Sequence, residues 1–252
     1  MNREPLHAAL PRIRGFLPNT LIDWPGRLAA EVFLEGCNLR CPYCHAGYLL
    51  TTAPEAETFD LEHILAHLKG ERGWLDGVVV SGGEPTIHPE LPGLLRRFKE
   101  AGFPVKLDTN GTQPEMLAAV LAAGLVDCVA MDVKAPLDER YARATGRPDV
   151  DLRAIRRSLA LLRDWDGDYE LRTTVCPAVL SPKDVLDLAV DLVGAPRLVL
   201  QPFKPGHCLD PALDLVAPYP EELLLQLAER CQEFVGSVSV RGRETVPSVP
   251  EA

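Results

Sequence analysis

Apolar positions along the chain follow two alternating rhythms. Short runs at 30–34, 78–80, 105–107, 126–133, 170–175 and 198–200 are rich in Val, Leu and Ala and have the length and composition of buried strands. Between them, apolar residues recur every three or four positions, as on one face of a helix. Leu61, Ile64, Leu65 and Leu68 form one stripe behind Asp60 as N-cap, and Gly70 suits its end. Leu91, Leu94, Leu95 and Phe98 repeat the pattern before Gly102. Pro114 fits the first position of a third helix with Leu117, Val120 and Leu121, stopped by Gly124. Leu152, Ile155, Leu159 and Leu162 make a fourth stripe. Ser181, Pro182 and Asp184 form a capped start for a fifth, carrying Val185, Leu188 and Leu192, and a last helix spans about 220–235. Six strands alternating with helices predict an α/β fold, a parallel sheet or partial (βα)6 barrel of the TIM type. Right-handed crossovers in it bring the C-terminal end of every strand to one rim. Residues 1–12 and 242–252 show no periodicity and are expected to be tails, leaving 13–241 as a single domain.

Composition narrows the function. The 252 residues carry 26 Lys+Arg against 36 Asp+Glu, a net charge of −10, with no basic run. That argues against nucleic acid or an anionic membrane as partner, since both repel net negative charge. No apolar stretch reaches the ~18 residues of a membrane span, and MNREPLHAALPR lacks a signal-peptide core, so a cytoplasmic location is expected. Seven cysteines is an odd number, and three fall within eight residues, which suits a thiolate-ligated metal better than a disulfide framework.

Those three lie in Gly36-Cys37-Asn38-Leu39-Arg40-Cys41-Pro42-Tyr43-Cys44-His45, directly after the first expected strand. Three thiolates spaced Cys-x3-Cys-x2-Cys in one loop can bind three irons of a 4Fe-4S cluster and leave the fourth iron open for chemistry. A Cys3His zinc site through His45 is the alternative, although zinc ligands generally come in pairs from separate segments. Ser81-Gly82-Gly83-Glu84-Pro85 follows the next strand, and its glycines allow the backbone a close approach to a ligand whose ammonium and carboxylate it can pair with. Asp108, Thr109 and Asp132 end two further strands, so their oxygens are placed to converge on a small cation. A plain turn at Asp108-Thr109-Asn110-Gly111 is the other reading.

In combination these motifs resemble the radical S-adenosylmethionine superfamily. Within it the chain is similar to the activating enzymes of glycyl radical enzymes, above all those of anaerobic ribonucleoside-triphosphate reductase. The resemblance runs from about Gly15 to Gly242 and also includes Asp23-Trp24-Pro25-Gly26, Asp132-Val133-Lys134 and Arg172-Thr173-Thr174-Val175-Cys176-Pro177. It implies a partial barrel of the radical SAM kind and a single catalytic domain over 13–241. It further implies that Cys37, Cys41 and Cys44 hold a 4Fe-4S cluster and are the catalytic residues. Gly82, Gly83 and Glu84 then meet the methionine part of S-adenosylmethionine, and Tyr43 and His45 its adenine. Asp132, Lys134 and Arg172 also contact the cofactor, and a monovalent cation sits at Asp108, Thr109 and Asp132. The implied reaction is reductive cleavage of S-adenosylmethionine to a 5′-deoxyadenosyl radical that takes a hydrogen from a glycine of a partner enzyme. An external one-electron donor such as flavodoxin or ferredoxin supplies the electron.

Two departures stand out. Many pyruvate formate-lyase activating enzymes carry an aromatic residue and then His after the sixth strand, for the cofactor's ribose, whereas this chain reads Pro202-Phe203-Lys204. Lys204 can donate but cannot stack or accept as imidazole does, which draws the resemblance toward the ribonucleotide-reductase type. Ala46 stands where an Asn often follows Tyr-Cys-His. Only residues 46–81 separate the cysteine loop from Ser81-Gly82-Gly83, too few for an inserted ferredoxin-like segment. Cys128, Cys176, Cys208 and Cys231 are dispersed and read as small buried residues; His63 and His67 read as a solvated helix face. A radical enzyme acting on a small molecule, in the manner of 7-carboxy-7-deazaguanine synthase, is the rival function, and a non-catalytic zinc-binding interaction protein the other.

Overall fold

The computed structural model describes residues 10–50 and 55–242; most of both expected tails, 1–9 and 243–252, lies outside them. In chain order the elements are β1 (Ile13–Thr20), β2 (Ala29–Leu34), α1 (Leu61–Gly70), β3 (Gly77–Gly82), α2 (Leu91–Glu100), β4 (Val105–Thr109), α3 (Pro114–Ala122), β5 (Cys128–Asp132), α4 (Arg140–Thr145), α5 (Leu152–Arg163), β6 (Asp168–Val175), α6 (Pro182–Asp191), β7 (Arg197–Pro202), α7 (Glu221–Cys231) and β8 (Ser237–Val240). They divide into two compact units. One holds the chain up to Arg40 with Ala46–Met131 and Asp151–Tyr169; the other holds Cys41–His45, Asp132–Val150 and the chain from Glu170 onward. The backbone thus passes from one unit to the other inside the cysteine loop.

In the first unit β2, β3, β4 and β5 run parallel in that order, with Ala29 beside Gly77, Val78 beside Val105 and Lys106 beside Cys128. Their apolar residues are buried on both faces, as an α/β sheet covered by helices requires. The helices cover the sheet with the stripes read from the sequence: Ile64, Leu65 and Leu68 of α1, Leu91, Leu94, Leu95 and Phe98 of α2, and Leu117 and Val120 of α3. The Asp60 carboxylate accepts from the His63 amide at 3.0 Å, which caps α1 as expected. The stripe of α5 contains a polar member the pattern misses, buried Ser158, whose hydroxyl donates to the Gly111 carbonyl at 2.7 Å.

The other end of these strands is closed by Asp23-Trp24-Pro25-Gly26. Trp24 is buried in a cluster with Ala29, Val79 and Cys128, and it packs so tightly on Gly77 that a Cβ there would lie 2.6 Å from its ring. The ammonium of Lys106, fully buried inside β4, donates to the Asp23 carbonyl at 2.5 Å. Ala29, Gly77 and Cys128 open their strands, so this motif plugs the N-terminal ends, the side that serves stability in such folds.

The second unit has β6, β7 and β8 in parallel, with Leu171 beside Leu198 and Leu198 beside Val238. The α6 start carries the expected reciprocal cap between Ser181 and Asp184. All six expected strands are present, the fourth trimmed to Cys128–Asp132. Three elements went unforeseen. Strand β1, antiparallel to β2, has two register irregularities and a half-exposed face, so it offers no clean alternation. Strand β8 has four residues, and α4 only six, too short to show a period. No helix of the described residues is long and apolar enough to cross a membrane.

Candidate active site

In the first unit, the residues at the C-terminal strand ends are tied to one another. Glu35, between β2 and Cys37, is buried, and its carboxylate meets Arg14 at 2.7 Å and Arg12 at 3.2 Å, while its carbonyl contacts His88 Nε2 at 2.6 Å. The Gly83 amide donates to the Leu34 carbonyl at 2.9 Å and the Glu84 amide to the Gly36 carbonyl at 2.8 Å. A Cβ on Gly82 would lie 2.2 Å from the Leu34 nitrogen, and Gly82 has a φ of +123°. The glycines of Ser81-Gly82-Gly83 therefore admit the backbone of the cysteine loop itself. The Glu84 carboxylate, 1% exposed, accepts from the Thr86 amide at 3.0 Å, the Thr86 hydroxyl, the Thr109 hydroxyl at 2.7 Å and the Asn110 amide at 2.6 Å. Burial pushes its pKa above the ordinary carboxylate value, against these four bonds. Glu84 thus ties the glycine turn to the turn after β4. Thr109 Oγ1 also accepts from the Gly111 amide at 3.1 Å, and Asp108 lies 3.9 Å from Lys106 Nζ.

Cys37 completes this group. Its sulfur accepts from the Leu39 amide at 3.4 Å and is approached by Asn110 Nδ2 at 4.0 Å. Asn110 Nδ2 also donates to Asn38 Oδ1 at 3.0 Å, and Asn38 Nδ2 to Thr112 Oγ1 at 2.7 Å.

The second unit holds Cys41, Tyr43, Cys44 and His45 with Asp132, Lys134, Arg172 and Lys204. Asp132 Oδ1 accepts from Arg172 Nε at 2.8 Å and Oδ2 from Lys134 Nζ at 2.9 Å. Burial opposes charge on Asp132, but Arg172 and Lys134 outweigh it and hold the carboxyl well below the usual range. Lys134 likewise stays charged: burial works against it and Asp132, with Tyr43 and Cys41 nearby, more than compensates. Burial raises the Cys41 pKa, and Lys134 is the principal group favouring its thiolate. The Tyr43 hydroxyl is buried without a hydrogen bond of ordinary geometry and lies against the same thiol. His45 Nε2 donates to the Lys204 carbonyl at 2.7 Å, which fixes the proton on that nitrogen. Two further bonds bind the loop after β7 to the cysteine segment, from the Leu209 amide to the Cys44 carbonyl and from the Asp210 amide to the Pro42 carbonyl, both 2.9 Å. That loop turns through His207 at φ +62° and is organised by Asp214, which accepts from the Gly206 and Cys208 amides at 3.0 Å each.

All seven cysteines are free thiols. Among the described residues, no three His, Cys, Asp or Glu side chains gather around one point as a single metal ion requires. The donor chemistry fits an iron–sulfur cluster: cysteine sulfurs are the soft ligands that iron–sulfur clusters take, and the Lys134 ammonium beside the buried Cys41 favours its deprotonated form.

The comparisons with known proteins agree. The radical SAM superfamily matches residues 32–192, and the chain belongs to it. With the family come its two cofactors, a 4Fe-4S cluster and S-adenosylmethionine, and the protein is a radical SAM enzyme. A protein of Methanocaldococcus jannaschii, assigned by inference as a glycyl-radical enzyme activating enzyme, is 30% identical over 242 residues, covering 91% of this chain and 95% of its own. The pyruvate formate-lyase-activating enzyme of Clostridium pasteurianum is 33% identical over 141 residues, 54% of this chain and 58% of its own. Among solved structures, QueE from Escherichia coli superposes with a TM-score of 0.55 at 18% identity, covering 92% of this chain and 94% of that one. The fold is thus the α/β partial barrel of the radical SAM kind.

Of the residues singled out from sequence, Gly82, Gly83, Glu84, Asp108, Thr109 and Cys37 lie in the first unit and Cys41, Tyr43, Cys44, His45, Asp132, Lys134, Arg172 and Lys204 in the second. Glu35, Arg14, His88, Asn38, Asn110, Thr112, Leu209 and Asp214 were missed. A charged residue between an apolar strand and Gly36-Cys37 was the visible signal for Glu35; Asp214 acts on the nearby amides of Gly206 and Cys208, and the others act through contacts remote in sequence.

Proposed function

We propose that this enzyme installs a glycyl radical on a partner protein, an anaerobic ribonucleoside-triphosphate reductase. The observation that carries the reading is the identity along nine-tenths of the chain with a relative assigned to glycyl-radical enzyme activation. Lys204, in place of the imidazole of pyruvate formate-lyase activators, supports the finer choice of partner. When bound, the cluster passes one electron from an external donor of the flavodoxin or ferredoxin class to S-adenosylmethionine, giving methionine and a 5′-deoxyadenosyl radical that abstracts the glycine hydrogen.

In this reading Cys37, Cys41 and Cys44 ligate three irons. Lys134, held by Asp132, offsets the charge of the Cys41 thiolate, and Arg172 keeps Asp132 oriented through its other oxygen. Tyr43 and His45 face the adenine, and Gly82 and Gly83 present backbone groups to the methionine. Glu84 acts as a positioning residue through Thr86, Thr109 and Asn110. The monovalent cation at Asp108, Thr109 and Asp132 remains part of the proposal on the strength of the sequence. A cytoplasmic location suits seven free thiols.

The test is anaerobic reduction with S-adenosylmethionine and a candidate partner. A persistent glycyl radical seen by paramagnetic resonance on the reductase, with only slow cofactor cleavage in its absence, is the expected result. A radical on pyruvate formate-lyase alone would replace the partner. Stoichiometric conversion of a small molecule, with no radical on either protein, would overturn the activase reading.

A further inference from the structure

We infer that Asn110 donates its side-chain N–H to the Cys37 sulfur and thereby sets how readily the cluster on that cysteine is reduced. The inference rests on the reading of Cys37 as a cluster ligand.

Asn110 is 5% exposed. Its Oδ1 accepts from the Thr112 backbone amide at 3.0 Å and from the Thr112 hydroxyl at 2.6 Å. A backbone N–H can only donate, so the atom facing it must be the oxygen, and the NH2 group must face the other way. There it meets Asn38 Oδ1 at 3.0 Å and Cys37 Sγ at 4.0 Å, the outer reach of an N–H to sulfur contact. Asn38 Nδ2 in turn donates to Thr112 Oγ1 at 2.7 Å, which spends its proton on Asn110 Oδ1. The three side chains close a ring of hydrogen bonds whose directions fix the Asn110 amide. The Asn110 backbone is pinned as well, by its bond to Glu84 Oε2 at 2.6 Å. One amide proton is left to point at the sulfur, fixed before any cluster binds.

Such a proton matters for electron transfer. Reduction adds negative charge that spreads onto the ligating sulfurs, and an N–H dipole aimed at a sulfur favours the reduced state; hydrogen bonds to the sulfurs are among the main determinants of cluster potential. The Leu39 amide at 3.4 Å supplies a second such dipole from the backbone. Asn110 supplies the one that mutation can remove, and the buried setting strengthens it. The Asn-Gly pair that reads from sequence as a turn signal is thus also a thiolate donor.

The experiment uses the full chain, reconstituted anaerobically, as parent and as the two variants Asn110→Ala and Asn110→Asp, with Asn38→Asp as a control. Iron and sulfide per chain are expected to match the parent in both variants. In a redox titration followed by paramagnetic resonance, the reduction equilibrium constant is expected to fall about tenfold in Asn110→Ala, equivalent to about 59 mV for a one-electron couple. It should fall further in Asn110→Asp, which offers no N–H and adds a negative charge. Parent protein labelled with 15N only in asparagine side chains should show a 15N coupling to the reduced cluster that persists in Asn38→Asp and vanishes in Asn110→Asp. Unchanged potentials in iron-replete variants overturn the inference, as does a labelled parent without the coupling, which decides the matter even if neither variant assembles a cluster. A parent that takes up no iron and sulfide fails one level lower: it removes Cys37 as a cluster ligand, and the role of Asn110 falls with it.

Discussion

Gly83 and Gly36 meet backbone to backbone: the Glu84 amide donates to the Gly36 carbonyl at 2.8 Å, and a Cβ added to Gly83 would lie 1.8 Å from that oxygen. The glycine turn after β3 is therefore part of the mounting of the cysteine loop. Its need for glycine is satisfied inside the protein, whatever its backbone also offers to a ligand. Gly83→Ala is expected to push the segment carrying Cys37 aside, destabilise the protein by at least about 1–3 kcal/mol and lower the iron content after reconstitution. Thermal unfolding and iron analysis check it. Full cluster occupancy with weaker S-adenosylmethionine binding would instead make the turn a ligand contact alone.

Replacing Cys37, Cys41 or Cys44 singly by Ala should abolish both cluster assembly and cofactor cleavage, because three thiolates leave no spare ligand. The same change at Cys128, Cys176, Cys208 or Cys231, all buried, should leave iron per chain at the parent level. A second indispensable cysteine set in that group would contradict a single cluster.

Asp132 makes a pH-dependent contribution whose sign follows from its depressed pKa. A carboxyl held below its ordinary value near 3.8 stabilises the fold above that pH and loses this contribution as the pH falls through the depressed value. Asp132→Asn leaves Arg172 and Lys134, 8% and 13% exposed at their side chains, without this carboxylate. The expected cost is about 3 kcal/mol at neutral pH, with a flatter loss of stability than the parent below pH about 4. Denaturant titrations of the two proteins from pH 7 downward measure both, and parallel curves would show that Asp132 is not the linked group.

Trp24 separates stability from chemistry. Trp24→Ala opens a cavity against Gly77, Ala29, Val79 and Cys128 at the N-terminal strand ends and should cost about 3–5 kcal/mol. Below its lowered melting temperature, the reconstituted variant should still bind S-adenosylmethionine with the parent's affinity. A large affinity loss in a folded variant would place this motif in the binding site.

The strands and helices were legible because their apolar runs and stripes are long and each is bounded by its own cap or glycine, as Asp60 and Ser181 illustrate. The cysteines were legible because their spacing is local. What escaped the sequence is the layer behind them. Nothing in Asp108-Thr109-Asn110-Gly111 announces that Asn110 faces Cys37, seventy-three positions earlier, since that proximity arises only when β2, β3 and β4 lie side by side. Nothing in the run 105–107 announces that the stem of Lys106 is buried and that its ammonium anchors the Asp23 turn. Glu84 is expected beside the cofactor, and its four acceptor bonds, which no local pattern announces, also make it a brace between two turns.

The three bonds from the loop after β7 to the cysteine segment, His45 to Lys204, Leu209 to Cys44 and Asp210 to Pro42, have a consequence for biosynthesis. Cys37 finds its side-chain neighbours by the time Thr112 has been made, but Pro42, Cys44 and His45 acquire these backbone partners only when the chain has reached Asp210. During translation the cysteine motif therefore leaves the ribosome long before half of it can be held in place. A chain arrested before Lys204 would carry Cys37 among its neighbours while Pro42, Cys44 and His45 still lacked all three of these backbone partners.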